Sequence, residues 1–399
     1  MDKTIYNYLT PAELHHIQEF SKNKETPFLL INLEKIAQKY NELQQSLPYA
    51  KIYYAMKANP QEEVINLLKE HGTHFDIASK YEMDQLFQQA IPPQHMSFGN
   101  TIKKSQDIAY AYQQGIRLFT TDSQMDLEHL AQHAPGSNII FRIISEGSGS
   151  FADWPLSKKF GAHPDLITTL IPKAKDLGLH PYGLSFHVGS QQRNISEWDH
   201  FLTICKSLFD QTSQQGIPLE AIDIGGGFPA QYIHTTPSIK EYAQGVHSYL
   251  KKHFPKLPEI IIEPGRSITA DSGVIVSEVI LVSQKSPYSP DRWVYLDIGK
   301  FGGLIETLDE SIKYPIFIER YINQPPPKTG EVFLAGPTCD SYDIMYEKFK
   351  YQLPLDLQSR DRAFILTTGA YTQTYSSICF NGFPPLKVYI LPKEILANQ

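Results

Sequence analysis

Short apolar runs recur eight times between residues 51 and 262, and most are separated by segments long enough to form helices. Apolar runs rich in β-branched and aromatic residues are typical of strands, and segments that end in Gly are typical of helices. Alternating strands and helices over about 210 residues predict a parallel (β/α)8 barrel, for which about 250 residues is usual. A doubly wound open sheet has the same periodicity and remains the alternative. The predicted strands are 51–55, 75–78, 96–98, 118–120, 139–144, 184–188, 221–224 and 260–262.

The pattern changes after Ser267, where strand-like runs follow one another with few long helical segments between them. This arrangement is typical of an all-β domain, and a chain of 399 residues is too long for one ordinary core. We therefore predict a barrel over 27–268 and a β-domain built from 1–26 and 269–399. The predicted strands of the β-domain are 274–282, 293–296, 331–335, 362–367 and 387–391.

Charge, cysteine content and hydropathy exclude several classes of function. The formal net charge of −7 gives no basic surface for nucleic acid. Three cysteines without paired spacing fit a reducing compartment and provide neither a disulfide framework nor a metal-ligand set. No apolar stretch approaches the roughly 20 residues of a membrane span, and the N-terminus lacks the apolar core of a signal peptide. We expect a cytoplasmic protein that binds neither membranes nor metals.

Chemically useful side chains lie at nearly every end of the eight predicted barrel strands. Reactive groups of a (β/α)8 barrel lie at the carboxyl ends of its strands, so this regular placement predicts a site at one mouth of the barrel. The residues in question are Lys57, Asp76 with Ser79, Asn100, Asp122, Arg142, His187 with Ser190, the glycines 225–227, and Glu263 with Arg266.

Lys57 ends the first of these strands and precedes an Ala-Asn-Pro turn. Burial at the end of a strand would disfavour the ammonium form, and a neutral amine is a nucleophile for aldehydes. Lys57 is therefore a candidate Schiff-base lysine. The alternative is a lysine at the strand edge whose ammonium reaches water.

Three other strand ends carry groups that suit a planar, phosphorylated ligand. The glycines 225–227 can bring backbone N–H groups to a phosphate, although a tight turn alone would also explain them. Arg266 suits a phosphate, with an ion pair to Glu263 as the alternative. His187 can stack on a flat ring or serve as a satisfied core histidine. Together with Lys57, these groups meet the requirements of pyridoxal 5′-phosphate, and Glu263 is the carboxylate that would keep its pyridine nitrogen protonated.

Ordered motifs across nearly the full length resemble the fold-type III pyridoxal-phosphate decarboxylases, the family of ornithine, diaminopimelate and arginine decarboxylases. The matching segments are 54–59 (YAMKAN), 75–79 (FDIAS), 187–190 (HVGS), 223–229 (DIGGGFP), 263–266 (EPGR), 336–341 (GPTCDS), 369–372 (GAYT) and 380–383 (FNGF).

The resemblance implies a role for each matching residue. Lys57 would form the Schiff base, Glu263 would hold the pyridinium and His187 would stack on the ring. Cys339 would reprotonate Cα after carbon dioxide leaves, and Asp340 would pair with the distal ammonium of the substrate. It implies that the partner subunit of a homodimer supplies these last two residues. Residues implied to hold the cofactor phosphate or to complete the cofactor site are Ser190, Gly227, Arg266, Tyr371, Asp76, Arg142, Gly226 and Gly265.

Within the family, the Cys339-Asp340 pair resembles ornithine decarboxylase, since diaminopimelate decarboxylases usually carry Cys-Glu-Ser there. We therefore expect conversion of L-ornithine to putrescine, a step of polyamine synthesis. A second acid for the distal amine is expected in the segment 302–310: Glu306 is preferred, Asp309 is second, and Glu310 is expected to be a solvated charge. A lysine or dual lysine/ornithine enzyme remains open because one methylene changes discrimination by only about 1–3 kcal/mol. Diaminopimelate decarboxylation or a non-catalytic homologue resembling antizyme inhibitors would fit less well.

Overall fold

A computed structural model describes residues 4–144, 152–154, 159–324 and 328–392. Its strands, in chain order, are β1 Phe28–Ile31, β2 Ala50–Ala55, β3 His74–Ile77, β4 Met96–Phe98, β5 Leu118–Thr121, β6 Asn138–Arg142, β7 Ala152–Trp154, β8 His180–Ser185, β9 Ser190–Gln192, β10 Ala221–Asp223, β11 Glu259–Ile262, β12 Gly273–Gln284, β13 Arg292–Leu296, β14 Ile316–Ile318, β15 Thr329–Ala335, β16 Ile344–Pro354, β17 Arg362–Leu366 and β18 Lys387–Ile390.

The helices follow the same order along the chain. They are α1 Pro11–Ser21, α2 Leu33–Ser46, α3 Glu62–Glu70, α4 Lys80–Gln88, α5 Ser105–Gln113, α6 Gln124–His133, α7 Pro164–Asp176, α8 Ser196–Gln214, α9 Ile239–His253 and α10 Arg266–Thr269. Short 3-10 segments are Ile5–Asn7, Met56–Ala58, Pro93–His95, Ala270–Ser272, Ile305–Glu310, Glu319–Tyr321, Gln373–Tyr375 and Phe380–Gly382. Over the described residues, no helix is both long and apolar enough to cross a membrane.

Two compact units make up the chain. The barrel unit contains residues 37–229 and 237–268, and the sheet unit contains residues 1–36, 230–236 and 269–399. This division differs from the predicted boundary at residue 27 because β1 pairs with β12 and β18, as in the Phe28–Val276 and Phe28–Lys387 pairs. The short segment 230–236 also joins the sheet unit, where Thr367 Oγ1 donates to the carbonyl of Gln231 at 2.8 Å.

The barrel unit closes eight parallel strands in the order β10-β11-β2-β3-β4-β5-β6-β8. The predicted (β/α)8 barrel is therefore confirmed over the described residues, and all eight predicted strands overlap a barrel strand. Inside it, Tyr53, Ile140 and Ile261 pack together from three different strands. One predicted strand is displaced: β8 ends at Ser185, so His187 lies in the loop that follows it.

Helix starts in the barrel unit carry side chains that satisfy free backbone N–H groups. Ser79 Oγ accepts from the N–H of Glu82 at the start of α4, and Ser238 and Glu241 form a reciprocal capping box at the start of α9. Such caps fix the point at which each loop at the mouth of the barrel becomes a helix. They thereby limit the movement of the loop residues that carry the chemistry.

The sheet unit contains an eight-stranded mixed sheet, in agreement with the predicted β-rich domain. Its main path runs β14-β17-β12-β13-β15-β16, with β1 against β12 and β18 against β1. All five predicted strands are present, whereas β1, β14 and β16 were not predicted. The strand β16 escaped the prediction because Glu347, Lys348 and Lys350 interrupt its apolar pattern.

Candidate active site

Lys57 lies on the 3-10 turn that directly follows β2. Its Nζ is 3.7 Å from Oδ2 of Asp76, which ends the neighbouring strand β3, and half of the Lys57 side chain is exposed. The expected burial of this lysine was therefore wrong, because the turn carries it out of the barrel wall. The amine is accessible to a small molecule at the carboxyl ends of the strands.

Three carboxyl groups gather beside this lysine. Burial, together with the charge of Glu263, raises the pKa of Asp76 to about 8, while Lys57 acts in the opposite direction. Burial and the neighbouring Glu263, with which Asp223 shares a hydrogen bond, raise the pKa of Asp223 well above its ordinary value. Because three carboxylates cannot all ionise at such close range, the cluster favours a bound proton or a bound cation.

The ring of His187 is neutral at physiological pH. Burial lowers its pKa well below the ordinary value, and the charges of Arg142 and Lys57 lower it further. The backbone N–H of Gly189 donates to Nδ1 at 3.0 Å, so the ring proton resides on Nε2 in this neutral form. A neutral imidazole can pack on the face of another ring without bringing a charge to it.

The glycine loop packs too closely against its neighbours to carry side chains. A Cβ on Gly226 would lie 2.7 Å from the carbonyl oxygen of Glu263 and 3.2 Å from Nε2 of His187. Gly227 has φ of 97°, and a Cβ there would lie 2.6 Å from Cγ2 of Val188. A loop without side chains suits a close approach of its backbone N–H groups to a phosphate.

A buried arginine lies at the same end of the barrel. Nε and Nη2 of Arg266 donate to Oγ of Ser190 at 3.1 and 3.0 Å, and Arg266 is nearly inaccessible. The carbonyl of Pro264, between Glu263 and Gly265, accepts from the N–H of Ala55 at 3.1 Å. This bond ties the 263–266 turn to the end of the strand that leads into Lys57.

The sheet unit carries the other predicted residues. Cys339 is an exposed free thiol, and its N–H donates to Oδ1 of Asn381 at 3.0 Å. Oδ1 of Asp340 accepts from the N–H of Tyr342 at 2.8 Å. Buried Asp343 accepts from the N–H of Lys300 at 2.8 Å and from Oγ1 of Thr338 at 2.7 Å, which fixes the start of the Cys339 loop.

In the acidic segment around residue 306, one of three acids differs from its expected role. Glu306 is buried and Asp309 is exposed, and both remain candidates. Glu310 is not a solvated charge, because its carboxylate accepts three backbone N–H bonds. Tyr371 has a φ of 55°, an uncommon value for a residue with a Cβ, and such strain often marks a functional position.

Residues 33–270 match the family model for the pyridoxal-binding domain of pyridoxal-dependent decarboxylases. The chain belongs to that family. It is 30% identical to a lysine/ornithine decarboxylase of Selenomonas ruminantium over 96% of this chain and 93% of the relative. It is 31% identical to an ornithine decarboxylase of Schizosaccharomyces pombe over 92% of this chain and 84% of the relative.

The fold of this decarboxylase also resembles solved structures. It matches a lysine/ornithine decarboxylase of Vibrio vulnificus, solved with putrescine, at a TM-score of 0.83 and 29% identity. The match covers 96% of this chain and 99% of that structure. The protein is thus a pyridoxal-phosphate-dependent decarboxylase of basic amino acids.

The barrel residues suit the pyridoxal phosphate of this decarboxylase family. The carboxyl cluster of Asp76, Asp223 and Glu263 would be stabilised by a protonated pyridine nitrogen, which would add a positive charge to that of Lys57. The glycine loop, Ser190 and Arg266 offer a set of backbone and side-chain donors for a phosphate. A neutral His187 is compatible with stacking on the pyridine ring.

Several residues that organise the decarboxylase were missed at the sequence level. Asp223 was considered only as part of the glycine motif, although its position at the end of β10 carried the same signal as Asp76. Asp343 and Glu310 gave no signal, because their importance comes from backbone groups distant in sequence. Lys103 also gave no signal, yet its side chain is fully buried and its Nζ lies 2.7 Å from Oδ2 of Asp126.

Proposed function

We propose that the protein decarboxylates L-ornithine to putrescine and carbon dioxide, a step of polyamine synthesis. The position of Lys57 beside the carboxyl cluster carries the proposal for catalysis, since it places an amine that can bind an aldehyde next to groups that can keep a pyridine ring protonated. The Cys339-Asp340 pair and the names of the relatives support a basic amino-acid substrate. The three cysteines are free, which supports a reducing, cytoplasmic location.

In the barrel, each residue has a distinct proposed task. Bound pyridoxal phosphate withdraws electrons from the bond at Cα that loses carbon dioxide. Nζ of Lys57 would hold the cofactor through its aldehyde, and Glu263 would keep a proton on the pyridine nitrogen. Neutral His187 would pack on the ring. Residues proposed to bind the phosphate or to line the cofactor are Ser190, Gly226, Gly227, Gly265, Arg266, Asp76 and Arg142 of the barrel unit, together with Tyr371 of the sheet unit.

In the sheet unit, the proposed tasks concern the substrate. Sγ of Cys339 delivers a proton to Cα after carbon dioxide has left. Asp340 binds the distal ammonium, and Glu306 is the preferred second carboxylate for it, with Asp309 as the alternative. Burial of Glu306 supports this choice, because a carboxylate shielded from water attracts an ammonium more strongly than the exposed Asp309 does.

We also propose a homodimer in which the partner subunit contributes Cys339 and Asp340. Exposed apolar side chains surround the Cys339 loop and the 375–383 loop bound to it: Tyr342, Tyr375, Ile378, Phe380 and Phe383. A contiguous exposed apolar patch on a globular protein commonly marks an interaction surface. A second copy that covers the patch would keep the thiol in a dry environment.

The substrate proposal is tested by measuring carbon dioxide release from ornithine, lysine, arginine and diaminopimelate under identical conditions. We expect the highest kcat/KM with ornithine, exceeding lysine by about tenfold or more, the range that one methylene provides. Equal values for the two would establish a dual lysine/ornithine enzyme. A higher value for any other substrate would overturn the choice of ornithine.

Lys57→Met tests the proposed attachment of the cofactor. We expect loss of the absorbance of the protein-bound cofactor and loss of turnover, because Nζ of Lys57 is the amine proposed to bind the aldehyde. Lys51→Met is the matched control on β2, the strand that leads into Lys57: Lys51 is half exposed and pairs with Glu259 at 2.6 Å. The control should retain absorbance and activity, and decarboxylation by Lys57→Met would refute the central role of Lys57.

A further inference from the structure

The 3-10 segment Ile305–Glu310 carries both candidate acids for the distal amine, and its backbone is strained at its end. Leu308 leaves helical geometry with ψ of 132°, and Asp309 and Glu310 follow with φ of 52° and 56°. Residues with a Cβ adopt the left-handed region at an energetic cost, so two in succession persist only where the surroundings hold them. Something in the sheet unit must therefore stabilise this conformation.

The Glu310 carboxylate provides that stabilisation. Its Oε1 accepts from the N–H groups of Glu347 and Lys348, both at 2.6 Å, and its Oε2 accepts from the N–H of Phe349 at 2.7 Å. Burial alone would raise the pKa of Glu310, but these three bonds lower it, so the carboxylate is ionised at neutral pH. Three charge-assisted bonds to consecutive N–H groups fix both position and orientation.

The three donors are available because β16 bulges away from its partner at this point. Along β15, Val332 pairs with Tyr351 and Leu334 pairs with Tyr346, so residues 347–350 lie in the irregular part of the ladder. A bulge of this kind leaves N–H groups without ladder partners. The side chain of Glu310 binds three of them.

Further contacts hold the chain after Glu310 to the same strand. Nζ of Lys313 donates to the carbonyl of Glu310 at 2.6 Å. The hydroxyl of Tyr346 on β16 donates to the carbonyl of Ile312 at 2.8 Å and accepts from the N–H of Tyr314 at 3.1 Å. The segment is thus anchored at its end, and the acids precede the anchor by one and four residues.

We propose that Glu310 is a positioning residue that sets the discrimination between basic amino acids of different length. By clamping the end of the segment to the β16 bulge, Glu310 fixes the reach of Glu306 and Asp309 toward a distal ammonium. Without these bonds the left-handed backbone at residues 309 and 310 can relax, and Glu306 and Asp309 are no longer held in place. The enzyme should then discriminate less between substrates with shorter and longer side chains. This inference rests on the proposed function, in which one of these acids binds the distal amine.

Glu310→Ala and Glu310→Gln test the proposal in the cofactor-loaded enzyme. In Glu310→Ala, we expect the ratio of kcat/KM for the preferred over the next-best substrate to fall at least about fivefold, within the discrimination that one methylene provides. The loss should appear mainly as a higher KM for the preferred substrate, with unchanged absorbance of the bound cofactor. Glu310→Gln keeps one acceptor oxygen and should lie between the wild type and Glu310→Ala, which guards against a folding defect in the latter.

Glu347→Gln is the matched control, because it removes an exposed carboxylate from the same bulge and leaves the backbone donor in place. Its substrate ratio should equal that of the wild type. An unchanged ratio in both Glu310 variants would overturn the positioning role while leaving the proposed function intact. A wild-type enzyme that releases carbon dioxide from none of the four amino acids would overturn both.

Discussion

Asp76 links the proton occupancy of the carboxyl cluster to the stability of the fold. Its pKa is raised from 3.8 to about 8 by burial and by Glu263. In the unfolded chain the group ionises above about pH 4, whereas the folded protein keeps the proton until about pH 8. The stability contribution of Asp76 is therefore fully present at low pH and is lost as pH rises through this window.

We accordingly predict that cofactor-free protein loses stability between pH 5 and 8 more steeply than Asp76→Asn does. The difference amounts to at most about 4 kcal/mol, since one pH unit corresponds to about 1.4 kcal/mol for one proton. Chemical unfolding at several pH values measures the free energy of unfolding of both proteins. Subtracting the value for Asp76→Asn from that of the wild type removes the contribution of every other titrating group. Parallel pH profiles for the two proteins would show that Asp76 ionises normally.

Lys103 is another buried titratable group, and it serves the fold rather than the chemistry. Its ammonium donates to Asp126 at 2.7 Å and to the carbonyls of Asn100 and Thr120 at 3.0 and 2.8 Å. Burial lowers the pKa of Lys103 and raises that of Asp126, so each ion depends on its partner. This pair joins the loop after β4 to β5 and α6.

Lys103→Met should lower the free energy of unfolding by about 3–5 kcal/mol, because the buried Asp126 would lose its partner. The matched control is Lys206→Met, which breaks the exposed pair with Asp210 on α8 and should cost no more than about 0.5 kcal/mol. Denaturant titration compares the two variants. A loss for Lys103→Met as small as that of the control would mean that water reaches Asp126.

At the scale of elements, the glycine loop after β10 illustrates what local sequence does and does not reveal. Three consecutive glycines predicted a tight, side-chain-free loop. The reason for each glycine is visible only in three dimensions, because the atoms that exclude a side chain at Gly226 belong to Glu263 and His187. In the same way, Glu310 looked like a solvated charge because its backbone partners lie 37 to 39 residues away.

Gly226→Ala should weaken cofactor binding by about tenfold or more, because the new methyl group would displace the Glu263 backbone or the His187 ring. Gly216→Ala provides the control: its φ is 73° and no atom would lie within 4 Å of the methyl group. The control should lose about 1 kcal/mol of stability with unaltered cofactor affinity. Titration of each apoprotein with pyridoxal phosphate measures cofactor affinity, and a thermal melt of each variant measures stability. Together the two measurements separate a loss of affinity from a loss of stability.

At the scale of the whole molecule, the alternation of strands and helices predicted the barrel because each βα unit is local in sequence. The same periodicity left a doubly wound sheet as the alternative, since closure of a sheet is not a local property. The boundary between the N-terminal segment of the sheet unit and the barrel unit was less predictable. The run FLLI of β1 has the composition of a barrel strand, and only its pairing with Val274 and Val276, about 245 residues later, assigns it to the other sheet. Long-range pairing of this kind leaves no trace in a single short run of sequence.

The proposed homodimer makes a quantitative prediction for mixtures of two inactive variants. Lys57→Met lacks the amine but keeps Cys339, and Cys339→Ala lacks the thiol but keeps Lys57. If Cys339 reaches the site of the partner subunit, a dimer with one copy of each variant has one site with both residues intact. Random pairing makes half of the dimers mixed, so an equimolar mixture should recover about one quarter of the wild-type activity.

Cys379→Ala is the matched control for the thiol, because Cys379 is also exposed and lies in the loop that contacts the Cys339 segment. Mixed with Lys57→Met, it should give about half of the wild-type activity, because Cys379→Ala retains every residue proposed for the chemistry and half of the subunits carry Lys57. Subunits are unfolded and refolded together to allow exchange, and carbon dioxide release is then measured. Without recovery in the Lys57→Met and Cys339→Ala mixture, despite proven exchange, each site would have to draw both residues from a single chain.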